Sequence, residues 1–147
     1  MITNINYKGK VSPEVTKKMN FPVCKLTQVV DKSVKYTIIF FKFGTCRIMG
    51  CKKPIEMKHV QYDIKNIQSL TIVVNLKETI NLYTLTKITK CLYEPELFPA
   101  LRLMKYSLTC VNVFSSGKVV ILGLKTLNFE NQVNDIMSDL HSLIEKL

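Results

Sequence analysis

Apolar and polar side chains alternate along residues 106–114. Leu108, Cys110, Asn112 and Phe114 fall on one face, and Thr109, Val111 and Val113 on the other. A period of two is the spacing of a β-strand. Gly117 then suits a tight turn, and Lys118–Leu122 reads as the returning strand, so Phe114–Lys118 is the bend of a hairpin. Tyr36–Phe41, Gly44 and Thr45–Met49 predict an equivalent hairpin earlier in the chain, and Ser69–Leu76 another strand. The period changes at the C-terminus. Phe129, Val133, Ile136, Met137, Leu140, Leu143, Ile144 and Leu147 recur at three- and four-residue steps, with Glu130, Asp135, Asp139 and Glu145 largely off that stripe. That pattern predicts an amphipathic helix. Pro54–Ile67 and Thr79–Lys90 are shorter helix candidates, the first with proline in its opening turn, the second carrying Ile80, Leu82, Tyr83, Leu85 and Ile88. The expectation is α+β: in each half, an antiparallel sheet backed by helices.

The word "half" is earned by a repeat. Phe41, Gly44, Gly50 and Lys52 stand in the pattern F-x-x-G-x5-G-x-K, and Phe114, Gly117, Gly123 and Lys125 repeat it 73 positions later. Phe21-Pro22-x-x-Lys25-Leu26 is echoed by Phe98-Pro99-x-x-Arg102-Leu103. The expected organisation is a single domain over 1–147, with repeat one at about 1–66 and repeat two at about 67–147.

Composition narrows the class. With 147 residues, 47% of them hydrophobic, the chain is long enough for one packed core and too short for two ordinary domains. The longest apolar runs, Tyr36–Phe41 and Val119–Leu124, are far too short to span a bilayer, and Lys8 and Lys10 interrupt any secretory leader. A soluble intracellular protein is expected. Its five cysteines then read as reduced, small hydrophobic residues. The net charge of +10 is uneven: residues 1–66 hold 13 Lys/Arg against 4 Asp/Glu, residues 67–147 hold 8 against 7. A basic half fits a polyanion, most simply nucleic acid, and equally a solvated lysine-rich surface.

Tyr93-Glu94-Pro95-Glu96-Leu97-Phe98-Pro99 and Val113-Phe114-Ser115-Ser116-Gly117-Lys118-Val119-Val120, followed by Gly123-Leu124-Lys125, resemble signatures of the second repeat of the TATA-box-binding protein family. Ile67-Gln68-Ser69 resembles the strand that opens that repeat. In repeat one, Ile2-Thr3-Asn4-Ile5 resembles the opening strand, and Phe21-Pro22 and Phe41-x-x-Gly44 occupy the places of the other phenylalanine pair. Phe21 lies 17 residues after Asn4, whereas Phe98 lies 29 after Ser69, so repeat one is about a helix shorter. The divergence and this shortening suit a viral or otherwise fast-evolving source.

The resemblance implies a pseudo-symmetric saddle whose concave ten-stranded sheet faces the minor groove. Two phenylalanines per repeat wedge into opened base steps and kink the duplex, the mechanism this family exemplifies. Flexible pyrimidine–purine steps unstack most cheaply. The implied DNA-binding set is Asn4, Phe21, Phe41, Arg47, Met49, Lys52, Ser69, Thr71, Phe98, Asn112, Phe114, Lys118, Val120, Leu122 and Lys125. Counting alternate residues places Lys118, Val120 and Leu122 on the Phe114 face, and Thr45, Arg47 and Met49 on the equivalent face. The sequence departs from the family here: Met49 and Leu122 stand where it has threonine, Ser69 replaces the second central asparagine, Asn6 and Thr71 replace valines, and Arg47 is a new cation. The implied partners are A·T-rich promoter DNA, a transcription factor IIB-like protein docking on Glu94, Glu96 and Leu97, and through it the RNA polymerase machinery. The implied compartment is the nucleus or a viral transcription site.

Each phenylalanine has a core reading, but repeated placement beside turns favours wedges. Lys52, Lys53, Lys118 and Lys125 also read as ordinary surface lysines, and Asn112 is open between DNA contact and local hydrogen bonding. His59 and His141 read as isolated helix histidines. Cys46-x4-Cys51 has an odd offset that would send its thiols to opposite strand faces, against a metal half-site. No cofactor, complete zinc set, phosphate loop or nucleophile–base motif is expected, so neither is an enzyme. The leading reading is a DNA-bending transcription initiation factor. The alternatives are a module of the same fold that binds transcription factors without specific DNA binding, and an accessory domain of a DNA-processing enzyme.

Overall fold

The computed structural model describes residues 2–12, 24–31, 34–41, 44–56, 62–106 and 109–147. Among these residues the elements run β1 (Ile2–Val11), β2 (Cys24–Asp31), β3 (Val34–Phe41), β4 (Thr45–Cys51), β5 (Tyr62–Asn75), α1 (Leu82–Thr86), β6 (Cys91–Leu92), β7 (Leu101–Leu103), β8 (Cys110–Val113), β9 (Lys118–Leu124) and α2 (Glu130–Glu145). The chain divides into two compact units, Ile2–Leu70 and Thr71–Leu147, with β5 running through the boundary. In the first unit the strands are ordered β2-β3-β4-β1-β5, and in the second β5-β9-β8-β7-β6.

The second unit follows its sequence pattern closely. Leu103, Val111 and Ile121 pair side by side across β7, β8 and β9, as do Leu101, Val113 and Val119. All six are buried. The α2 stripe buries Val133, Ile136 and Leu140. At roughly 1.5–3 kcal/mol for each fully buried aliphatic side chain, such residues supply most of the drive to fold. Glu130 in the first turn of α2 complements the helix dipole. Just past β7, Lys105 Nζ and Tyr106 Oη each donate to Asp139 Oδ2 of α2 at 2.9 Å.

In the first unit Ile5, Tyr7, Ile38, Cys46, Ile48 and Cys51 form the fully buried face of β1, β3 and β4. The Tyr36 and Tyr62 hydroxyls share a buried 2.7 Å hydrogen bond between β3 and β5.

The repeat is visible in the backbone. Gly44 and Gly117 both take φ 90°, and Gly50 and Gly123 take 84° and 86°. Gly44 N–H donates to Phe41 O and Gly117 N–H to Phe114 O, each at 3.0 Å. The Gly44 and Gly117 carbonyls in turn accept from Val11 N–H and Leu76 N–H. The hairpins are therefore related by 73 residues but the opening strands by only 65, which places the shortening of repeat one between β1 and its hairpin.

Three expectations are corrected. The Pro54–Ile67 helix is not found among the described residues: residues 54–56 lie outside any helix or strand and Tyr62–Ile67 is the start of β5. Tyr62 and Ile64 are buried and Asp63 and Lys65 are not, a period of two that the apolar count had obscured. The Thr79–Lys90 helix shrinks to Leu82–Thr86. Asn81 caps it by accepting from Thr84 N–H at 3.1 Å, and the β-branched Thr84, Thr86, Ile88 and Thr89 discourage its extension. Cys46 and Cys51 do not face opposite ways; both are buried. Between Ile5↔Cys51 and Tyr7↔Ile48, β1 advances two residues and β4 three, so a bulge at Met49-Gly50 resets the alternation. Burial raises both thiols to about 11, so they stay protonated and inert.

Candidate nucleic-acid interface

In each unit one sheet face carries the core and the other is open. In the Thr71–Leu147 unit the open face holds a cross-strand row: Leu92 on β6, Arg102 on β7, Asn112 on β8 and Val120 on β9 are successive pairing partners. Cys110 pairs with Leu122 in the next row. Thr71 and Val73 alternate with buried Leu70 and Ile72 on β5 and so leave by that same face. Asn112 is only 5% exposed, and its Oδ1 accepts from Cys110 Sγ at 3.6 Å, so its amide is engaged locally. Arg102 is exposed in the middle of this row.

Phe114 directly follows β8 and Phe98 lies in the turn before β7. Their rings meet edge to face, with centroids 6.0 Å apart and planes at 67°. Phe98 remains 47% exposed and Phe114 is half-buried. Such contact is the preferred geometry of an aromatic pair, and each ring limits the other's rotamers. The turn itself is ordered by Leu97 N–H and Phe98 N–H, both donating to Glu94 O. Leu97 in this turn is 80% exposed, and Glu94 and Glu96 just before it are exposed too. Lys118 and Lys125 are exposed at the two ends of β9.

In the Ile2–Leu70 unit the open face is more polar. Asn4 Oδ1 accepts from Gly50 N–H at 3.1 Å and so holds the β4 bulge. Asn6 Nδ2 donates to Ser69 Oγ at 3.3 Å. Arg47 pairs with Ile39 on one side and Lys8 on the other, and Met49 with Thr37. Phe41 is half-buried at the end of β3, and Lys52 is exposed just after β4. Phe21 and His59 lie outside the described residues. His141 is exposed on α2.

Structure therefore gathers Asn4, Arg47, Met49 and Ser69 in one unit and Thr71, Phe98, Asn112, Phe114, Val120 and Leu122 in the other. Lys8, Lys10 and Arg102 join these faces without having been singled out for them. The first two were legible only as breaks in an apolar leader. Arg102 was legible as part of the Phe98-Pro99-x-x-Arg102-Leu103 echo, which assigns it no face. Among the described residues no cluster of His, Cys, Asp and Glu is placed to hold a metal, and no helix is long and apolar enough to cross a membrane.

Comparison with known proteins places this geometry. Residues 64–147 match the family described as transcription factor TFIID, or TATA-binding protein. A TATA-box-binding protein of Aeropyrum pernix is 32% identical over 122 residues, covering 71% of this chain; the chain spans 59% of that relative's length. The solved structure of Methanococcus jannaschii TBP superposes with a TM-score of 0.74 at 21% identity, covering 99% of this chain and 98% of that one, and so shows the same fold. The chain belongs to the TATA-binding protein family, as a divergent member.

Proposed function

We propose that this protein binds duplex DNA in the minor groove through its open sheet faces, bends it, and starts transcription by recruiting a second factor. The observation that carries this reading is the Phe98–Phe114 pair, an aromatic edge left half in water beside the apolar Val120 and Leu122. An opened base step offers these rings the stacking they lack, and they replace the stacking the step has lost. Phe41 and Phe21 would serve the first repeat. Apolar and small polar side chains on the open faces accept the A·T floor, which presents no exocyclic amino group. Lys52, Lys118 and Lys125 would neutralise flanking phosphates. The exposed Leu97, with Glu94 and Glu96 just before it, would dock a basic, transcription factor IIB-like partner, bringing the RNA polymerase machinery to a promoter in the nucleus or a viral transcription site.

Titration of end-labelled A·T-rich, G·C-rich and random duplexes at several salt concentrations, with fluorescence transfer between the duplex ends, tests this. Log affinity should fall by ~0.9 per neutralised phosphate for each tenfold rise in salt, and A·T-rich duplexes should bend. Feeble binding that ignores sequence and produces no bend would leave the protein-binding module as the function.

A further inference from the structure

Lys8 of β1 and Arg47 of β4 are direct cross-strand partners. Partners in an antiparallel pair project from the same face, with Cβ atoms about 5 Å apart, and like charges there oppose the pairing. Both residues are exposed, and among the described residues neither has a carboxylate partner; the ion pairs there are Lys65–Asp63 and Lys105–Asp139. Lys10, opposite Thr45, continues the cationic row. The pair does not lie on an edge strand. Ile39 of β3 flanks Arg47 on one side, and β5 lies beyond β1 on the other. The repeat offsets identify the equivalent positions in the second unit as Val73 and Val120. One repeat thus keeps two aliphatic side chains where the other holds two cations that have no carboxylate partner among the described residues.

We propose that Lys8 and Arg47 together read the floor of the minor groove, taking the N3 and O2 acceptors of A·T pairs under repeat one and disfavouring G·C pairs. This rests on the DNA-binding reading above. Phosphates line the edges of a groove and base edges its floor, so cations in the interior of the binding face meet the floor. A·T pairs present only acceptors there, whereas G·C adds the N2 amino donor, which repels another donor. A·T-rich grooves also carry the more negative potential that draws arginine and lysine inward. The unfavourable pairing of two cations is relieved when acceptors come between them.

The test uses the full chain, the variant Lys8→Val with Arg47→Val, and the variant Lys8→Gln with Arg47→Gln, each checked by thermal melting. The probes are equal-length duplexes built from A·T, inosine·cytosine or G·C pairs. Inosine lacks the N2 amino group, so its floor resembles that of A·T. The wild-type chain should bind A·T and inosine·cytosine alike and G·C about tenfold more weakly or worse. Both variants should lose about tenfold on the first two duplexes and much less on G·C. The glutamine variant keeps the polarity and carries the test if the valine variant fails to fold. Equal losses on all three duplexes would mean phosphate contact and overturn the proposal, as would unchanged binding. A wild-type chain that binds no duplex removes the DNA-binding reading itself, and this proposal with it.

Discussion

Phe98, just before β7, and Phe114, just after β8, stand edge to face with centroids 6.0 Å apart, and Phe98 stays half in water. Because the pair is only partly buried, it contributes less to folding than its size suggests. Replacing both with alanine should abolish DNA bending while the fold persists. Fluorescence transfer between the ends of a labelled duplex reports the bend, and far-ultraviolet circular dichroism reports the fold. A bend of unchanged size in a folded double variant would exclude these rings as the wedge.

The exposed turn carrying Leu97 separates partner binding from DNA binding. Glu94→Arg with Glu96→Arg should weaken capture of a transcription factor IIB-like protein at least tenfold, a change of about 1.4 kcal/mol. DNA affinity should stay equal or rise slightly, since two phosphate-repelling charges are reversed. Pull-down and duplex titration of the same preparation measure both quantities. Partner capture at the wild-type level would remove this turn as the docking site.

Gly44 and Gly117 share a φ of 90°, but their surroundings differ. A Cβ on Gly44 meets nothing within 4 Å, whereas one on Gly117 collides with the Glu78 carbonyl oxygen. Gly44→Ala should therefore cost about 1–2 kcal/mol, the backbone strain alone. Gly117→Ala should cost more than ~3 kcal/mol, because the backbone of Glu78 must also move. Urea denaturation of the two variants compares these values directly, and equal midpoints would show that the Glu78 approach is not tight in solution.

Asp139 links α2 to the segment after β7 and gives the stability a pH dependence. The hydrogen bond from Lys105, with that from Tyr106, lowers its pKa below the usual 3.8. The folded-state value thus lies below the unfolded one. The stabilisation is complete above the unfolded pKa and is lost as pH falls through the folded one. Asp139→Asn should be less stable than wild type at pH 7, and the difference should shrink below about pH 4. The effect is small, since the Asp139 side chain is 42% exposed and so screened by solvent. Denaturant midpoints of both proteins from pH 7 to pH 2 measure it; a constant difference would place the effect in packing rather than charge.

Much of the protein is determined by local pattern. The two F-x-x-G-x5-G-x-K segments require positive φ at both glycines, so they define both hairpins before any tertiary contact is known. The α2 stripe likewise repeats often enough to have one interpretation. The motif Tyr93–Pro99 identified the family from its letters alone.

Tertiary structure decided what depends on pairing. Residues 62–67 carry too few apolar positions to separate a period of two from one of 3.6, and pairing within the sheet makes them strand. The inward turn of Cys51 is likewise invisible to simple alternation, because one bulge residue at Gly50 reverses every side chain beyond it. Asn112 reads equally as a DNA contact or a local partner in the sequence, whereas its 5% exposure and the hydrogen bond from Cys110 follow from the seating of β8 between β7 and β9. Lys8 and Arg47 are 39 residues apart, and the sequence singles out only Arg47, as a new cation. Only the register of β1 on β4 sets them side by side. A face is a property of neighbouring strands, and one strand's sequence states its alternation without naming its neighbour.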